Sequence, residues 1–430
     1  MPPSSLLPMT TPEAILTAFQ DRFGSPATIC IVLGFDGVPP ELKELREHVG
    51  RCWSGIPRLR LRMARPVRGR PPYAWEKGPA PDLDRCVVET PIPDGATLED
   101  LLGRLLSQTL PELPGLPPWR LHLVPAPAGH EFTLILLAHH ALLDGISLVT
   151  LVRQICDRPP GPPRSDVPVL PAAAAPLATR VRRAAAVLAE LSVPAAPYRC
   201  TRPVDGDRAV ARSRVPREVL DTAARALPGV KALPNDAYLA CVAGALRRVR
   251  GALGPPHRDD RVHCAMPADI RPLDAHNTVG NLITTLRVRL PVDVADPVER
   301  LRAVHAATTR LKERDASAGM ADILALGARL GPRAQPLVAA RAAAPHLWST
   351  LCSHVPVSRP MTMGGAVLRE VSGFSCLTPR MGFLQVLMRY RDAYTLCLTG
   401  DGAHRPYLSP LADAFADEAH TLAALAPSRA

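Results

Sequence analysis

Apolar positions along the chain follow two periods. Short runs with period two, or with continuous apolar character, predict strands; stretches of period 3.6 predict amphipathic helices. Thr28 to Phe35 (TICIVLGF) is a strand of the first kind. Thr97 is placed to cap a helix over LEDLLGRLLSQ, with Asp100 three residues on as its reciprocal partner. Trp119–Val124 and Phe132–His139 predict paired strands across the turn-rich PAPAGHE, and after His140 the period turns helical in ISLVTLVRQI. Further on, Asn235 stands ahead of the helical run DAYLACVAGALRRV as its predicted N-cap. Val262–Met266 and Ile283–Leu290 read as strands. Asp296-Pro297 opens the helix VERLRAVHAATTRLKE with an acidic cap and a proline in the first turn. Trp348–Val355, Val367–Val371, Gly382–Tyr390 and Tyr394–Leu398 are strand candidates, and a helix over Leu411–Leu425 closes the chain.

One segment breaks both periods. Asp157 to Pro176 (DRPPGPPRSDVPVLPAAAAP) holds seven prolines in twenty residues, which removes donors, fixes φ and predicts an extended linker. An Ala/Leu/Arg-rich helix, Leu177 to Leu191, follows it. The chain therefore divides into an N-terminal half (1–156), a linker with its connecting helix (157–195) and a C-terminal half (196–430). Each half is a mixture of strands and helices able to bury its own sheet, an α/β organisation.

With 430 residues and 47% hydrophobic content, there is material for two such cores. No run of eighteen apolar residues predicts a transmembrane helix, and MPPSSLLPMT lacks the basic and apolar regions of a signal peptide. Ten cysteines without a CxxC pair argue against zinc ribbons and redox pairs, and no metal site is expected. A cytoplasmic location is expected. The net charge of +11 is spread in ones and twos with only 4% aromatic residues, which argues against a nucleic-acid partner. It suits small phosphorylated ligands, an acidic carrier protein or an anionic membrane surface.

The chain lacks a GxxxxGK[ST] phosphate loop, a GxGxxG turn, an HExxH helix and a GxSxG elbow. The tetrad Asp417-Glu418-Ala419-His420 spells a helicase box, but without a phosphate loop it is a coincidence on a terminal amphipathic helix. What remains is His139-His140-Ala141-Leu142-Leu143-Asp144-Gly145 at the end of an apolar strand and the start of a helix. A strand end holds an imidazole rigidly, the glycine is expected to permit a sharp turn, and a free imidazole titrates near neutral pH, as a general base requires. His354 and His276 stand alone with no ligand spacing and read as ordinary polar residues.

This HHxxxDG motif resembles that of the acyl-CoA-dependent acyltransferase superfamily, and more of the chain is similar to the wax ester synthase/diacylglycerol acyltransferases within it. A PLWE-type segment about twenty residues before the histidines is matched by Pro118-Trp119-Arg120, and an Asn-Asp helix opening by Asn235-Asp236. A proline-and-arginine strand end followed by Gly-Asn is matched by Met266 to Arg271 and then Gly280-Asn281. A DPxERL helix is matched by Asp296 to Leu301, and an SNVPGP-like segment by Ser353-His354-Val355-Pro356, with Gly364-Gly365 beyond. The family's opening motif is reduced to Thr11-Pro12-Glu13-Ala14, its Trp-Glu pair to Trp119-Arg120, and SNVPGP to SHVPVSRP. These departures concern substrate walls rather than the base.

The resemblance implies two chloramphenicol acetyltransferase-like mixed-sheet domains with an active-site tunnel at their interface. It implies His140 as the general base for acyl transfer from an acyl thioester to a hydroxyl acceptor, with His139, Asp144, Gly145 and Arg271 supporting the loop. Asp144 would be a triad member on spacing alone; the resemblance has it point away from the histidine and pair with an arginine, Arg271. Trp119, Asn235, Gly280, Asn281, Ser353 and Pro356 are the tunnel candidates it implies. No cofactor is expected beyond the co-substrate, acyl-CoA or an acyl-carrier thioester. Its partners would be an alcohol or amine acceptor and an acyl or peptidyl carrier protein, with peripheral membrane association an option. A condensation-type enzyme joining a carrier-bound acyl group to an amine is the first alternative reading. A non-catalytic binding relic of the same fold is the second.

Overall fold

The computed structural model describes residues 6–427 except 65–72, 112, 114, 127–128, 160, 164–174, 197–203, 205, 254–260, 273–274, 330, 332–333 and 345. Most of the proline-rich linker therefore lies outside the described residues. The first part runs β1 (Leu7–Pro8), α1 (Thr11–Phe23), β2 (Thr28–Asp36), α2 (Leu42–Trp53), β3 (Leu61–Met63) and β4 (Ala74–Lys77). It continues with α3 (Leu83–Cys86), β5 (Val87–Glu89), α4 (Leu98–Ser107), β6 (Trp119–Pro125), β7 (Glu131–His139) and α5 (Gly145–Gln154). The middle holds α6 (Leu177–Ser192), β8 (Arg208–Pro216), α7 (Arg217–Ala223), α8 (Pro234–Leu253), β9 (His263–Asp269) and β10 (Ile283–Arg289). Then come α9 (Pro297–Glu313), α10 (Ala316–Arg329), α11 (Gln335–Ala342), β11 (Thr350–Val357), β12 (Thr362–Met363) and β13 (Ala366–Phe374). The chain closes with β14 (Phe383–Tyr390), β15 (Ala393–Asp401) and α12 (Arg405–Ala424).

Local signals placed most of these elements. Thr97 caps α4 as expected, its hydroxyl accepting from Asp100 N–H (3.1 Å) while the Asp100 carboxylate accepts from Thr97 N–H (3.0 Å). Asp296 caps α9 through Glu299 N–H (2.8 Å). Two expectations shift. Helix α8 begins at Pro234, so Asn235 lies in its first turn; it is Asp236 that reaches back to Leu233 N–H (3.0 Å). Helix α12 begins six residues before Leu411 and carries Pro410 inside it.

Two six-stranded sheets organise the molecule. The first has the order β12-β13-β2-β7-β6-β5 and is antiparallel except where β5 meets β6. The second has the order β10-β9-β11-β14-β15-β8, with β11 parallel to both β9 and β14. The sheets do not divide the chain at the linker. Strand β13 comes from the C-terminal half yet pairs with β2 from Val367↔Asp36 to Phe374↔Cys30. Helices α4 and α5 pack on the first sheet within one apolar core; α7, α8 and α12 cover the second within another. Strand β2 is buried along nearly its whole length, the continuous apolar pattern of a strand covered on both faces.

Candidate active site

Strand β7 ends at His139, opposite Thr28 of β2, and the chain then folds tightly. His140 N–H bonds to Ala27 O (2.7 Å) and Leu142 N–H to His139 O (2.8 Å), so the second histidine projects from a loop fixed at both ends. The two imidazoles take opposite tautomers. His139 is fully buried, and its Nδ1 accepts from Ala141 N–H (3.1 Å), which puts its proton on Nε2. Burial, then the neighbouring His140, push its pKa down to about 3. His140 donates from Nδ1 to the Leu143 carbonyl (3.2 Å), which leaves the lone pair on Nε2. Burial holds the His140 pKa below its ordinary value, against the raising effects of its own backbone, the Asp144 charge and the Leu143 carbonyl. The His140 ring is therefore neutral near neutral pH.

The Asp144 carboxylate does not touch that ring. It caps α5 through Ser147 N–H (2.8 Å), accepts from Leu282 N–H (2.8 Å), and receives Arg271 Nη2 on both oxygens (2.9 and 2.7 Å). Both side chains of this ion pair are fully buried. Burial alone would lower the Arg271 pKa, but the charges of Asp144 and Asp269 outweigh it and leave it raised. Arg271 also donates to Thr278 O (2.8 Å) and Asp269 (2.8 Å), so every direction of its fork is engaged. Gly280 and Asn281 complete this side: Gly280 O accepts from Asp144 N–H (3.0 Å), and Asn281 Nδ2 donates to His140 O (2.7 Å).

A second arginine, which sequence reasoning missed, grips the loop from the other side. Arg58 donates to the carbonyls of Leu142 (2.9 Å) and Ala141 (3.0 Å) and forms a buried ion pair with Glu13. Trp75 Nε1 and Thr10 N–H also donate to Glu13 (3.1 and 2.9 Å), and the Arg58 guanidinium lies 5.2 Å from the centre of a Trp75 ring. Only Glu13, within the reduced opening motif, carried any signal.

His140 lines a cavity of about 310 Å³ bounded by both sheets and by α1 and α10. Its walls are mostly apolar, as at Ile15, Ile29, Met320, Leu324 and Met388; Asp144, Asp269 and Ser353 are among the polar exceptions. Among the described residues no group of three His, Cys, Asp or Glu could hold a metal ion.

Residues 28–252 match the wax ester synthase/diacylglycerol acyltransferase catalytic domain, and residues 279–423 match the C-terminal domain of the same family. The chain belongs to the wax ester synthase/diacylglycerol acyltransferase family. It is similar to a Mycobacterium tuberculosis protein named as a diacylglycerol O-acyltransferase, 28% identical over 62% of this chain and 63% of that protein's length. The chain thus spans somewhat less than two thirds of that relative. In fold it is similar to the wax ester synthase/diacylglycerol acyltransferase of Marinobacter aquaeolei VT8 (TM-score 0.68, 19% identity, 96% and 98% of the two chains). It is also similar in fold to the first condensation domain of the calcium-dependent antibiotic synthetase (TM-score 0.73, 19% identity, 98% and 97%). The mixed α/β fold with two sheet-rich halves is that of these proteins.

Of the tunnel candidates in this member of the family, Ser353 borders the cavity and the others do not. Gly280 and Asn281 sit behind the histidine loop rather than in front of it. Trp119 is core: it is buried, donates to Leu59 O (2.9 Å) and meets Trp53 edge-on. Pro356 is exposed. Asn235 donates to Met266 Sδ (3.4 Å), while the cavity takes Ala265, Pro267 and Asp269 from the same strand. Strand alternation therefore puts Asn235 behind the sheet. Gly145 also differs from expectation. It is the first residue of α5 and is not in the left-handed region; a Cβ there would come 3.3 Å from Val355 Cγ2. The glycine lets β11 approach the loop, and does not make the turn.

Proposed function

We propose that the protein transfers an acyl group from an acyl thioester, acyl-CoA, to the hydroxyl of a small-molecule acceptor, with His140 Nε2 as general base. The observation that carries this reading is the His140 ring itself. It is a neutral imidazole with Nδ1 tied to Leu143 O, standing on the wall of an apolar cavity. Nε2 takes the acceptor proton as the acceptor oxygen attacks the thioester carbonyl. The tetrahedral intermediate then collapses, the C–S bond breaks, and the proton passes to the departing thiolate, giving ester and free thiol. A thioester is already activated, so no acyl-enzyme is needed.

Asp144 and Arg58 act through position: each holds the loop that aims the ring, and neither touches it. The test is thiol release and ester formation by the purified protein with long-chain acyl-CoA and a fatty alcohol or diacylglycerol. Ester formation lost in His140→Ala supports the reading. Turnover only with an amine acceptor and a carrier-bound donor would favour the condensation-type alternative. Absence of thiol release with every donor and acceptor would favour the binding relic.

A further inference from the structure

Helix α6 packs on α10 through a mixed inner face, with Val187 buried and two arginines paired: Arg180 Nε meets Asp322 Oδ1 at 2.7 Å, and Arg183 pairs with Asp315. The two helices touch most closely at Gly319, where a Cβ would lie 2.9 Å from the Arg183 carbonyl oxygen. The outward face carries Leu177, Val181, Ala185 and Leu188, whose spacing of four, four and three makes a single stripe. Leu177, Val181 and Leu188 are 73%, 59% and 55% exposed.

The stripe has neighbours of the same kind. The order of the ion pairs sets α6 and α10 antiparallel, which carries Leu326 of α10, also exposed, toward the Leu177 end. On α11, Leu337 is exposed too. Exposed arginines flank them: Arg182 on α6, Arg329 at the end of α10 and Arg341 on α11. Of the carboxylates of this layer, Asp315 just ahead of α10 is exposed but paired with Arg183, Glu190 is half-buried, and Asp322 is buried and paired with Arg180.

A cationic, apolar outer face favours an anionic lipid surface over a second copy of a chain that itself carries a net charge of +11. The same helical layer lines the cavity from within, through Met320 and Leu324 of α10 and Ala342 of α11. We propose that the outer face of α6, with the exposed residues of α10 and α11, docks the protein on an anionic phospholipid bilayer. The helical wall of the cavity then lies directly above the lipid.

The experiment is co-sedimentation of the full chain with vesicles of phosphatidylcholine alone and of phosphatidylcholine with phosphatidylglycerol. The wild type should bind the anionic vesicles, less so as salt rises. A triple change, Leu177→Glu, Val181→Glu and Leu188→Glu, should weaken binding at least about tenfold while the melting temperature changes little, because these side chains are more than half exposed. Arg182→Glu should weaken only the anionic component. A wild type that stays in solution with both vesicles, or a triple variant that binds as well as the wild type, overturns the proposal. So does a dimer in sedimentation velocity that the triple change abolishes, which would assign the stripe to a second copy. Binding is read without turnover, so this result stands apart from that of the acyl-transfer assay.

Discussion

The loop that carries His140 is gripped on two sides by arginines that do different things. Arg58 belongs to the same half as the loop. It binds two backbone carbonyls, at Ala141 and Leu142, and its charge is balanced by Glu13 from α1. Arg271 comes from the other half. It binds the side chain of Asp144, and the Gly280–Leu282 segment beside it takes up Asp144 N–H, the Asp144 carboxylate and His140 O. The first clamp fixes the shape of the loop; the second fixes where the loop stands relative to the opposite wall of the cavity. A ring fixed only by the first would keep its conformation and lose its aim.

The sharpest way to break this comparison is to remove the ring and keep both clamps. His140→Ala should lower turnover by about a hundred to ten thousandfold, the range for a lost general base, with the melting temperature nearly unchanged. A drop below tenfold in a folded protein would separate the loop from the chemistry. Next in size come the clamps themselves. Arg271→Met strands the buried Asp144 carboxylate and Arg58→Met strands buried Glu13, and each should cost about 3–5 kcal/mol in denaturant unfolding. The clamps should then part company in the milder pair: Asp144→Asn should depress kcat along with stability, whereas Glu13→Gln should depress stability with the smaller effect on kcat. Equal losses of kcat would erase the distinction.

Acid offers a third handle. His139 has a folded pKa near 3, below the ordinary value, so below about pH 6.5 the unfolded chain binds a proton that the folded chain refuses. Stability should therefore fall as pH drops from 6.5 toward 3, by about 1.4 kcal/mol per pH unit from this group. His139→Gln should remove that share of the slope in pH-dependent melting, leaving the shares of His122, His263 and His354, whose burial pushes each down to about 4; an unchanged slope would mean that the ring is not held neutral. His140, also lowered, should keep turnover on its plateau somewhat below pH 6.5 before it declines on the acid side. The smallest change is Gly145→Ala. Its Cβ would press on the Val355 side chain of β11, at a cost of about 1 kcal/mol. Val355→Ala in the same chain should restore the lost stability; no rescue would place the strain elsewhere.

Legibility divides in the same way. The Asp144–Arg271 pair was expected because a motif and a resemblance named both partners. Arg58 sits in Pro57-Arg58-Leu59-Arg60-Leu61, where nothing distinguishes the one buried arginine from its neighbour Arg60. Its burial follows from three partners in two segments, Glu13 of α1 and the Ala141 and Leu142 carbonyls of the histidine loop, neither segment near in sequence.

The amino-acid sequence by itself determined what is settled within a few residues. The strand–loop–helix around His140, the Thr97 and Asp296 caps and the mixed α/β class rest on local hydrogen bonds and on the periods of strand and helix. Tertiary structure alone decided which face a residue shows and what it meets. Strand β13 joins the first sheet across some 330 residues of chain, Val367 opposite Asp36, and a pairing at that separation leaves no local trace. Asn235 falls behind its sheet while Pro267 faces the cavity, because alternation assigns faces only once register is fixed. Helix α6 was legible only as an Ala/Leu/Arg-rich helix. That Arg180 and Arg183 turn inward and Leu177 and Leu188 outward came from the partners on α10, and a period gives the angle between two faces of a helix but not which of them is buried.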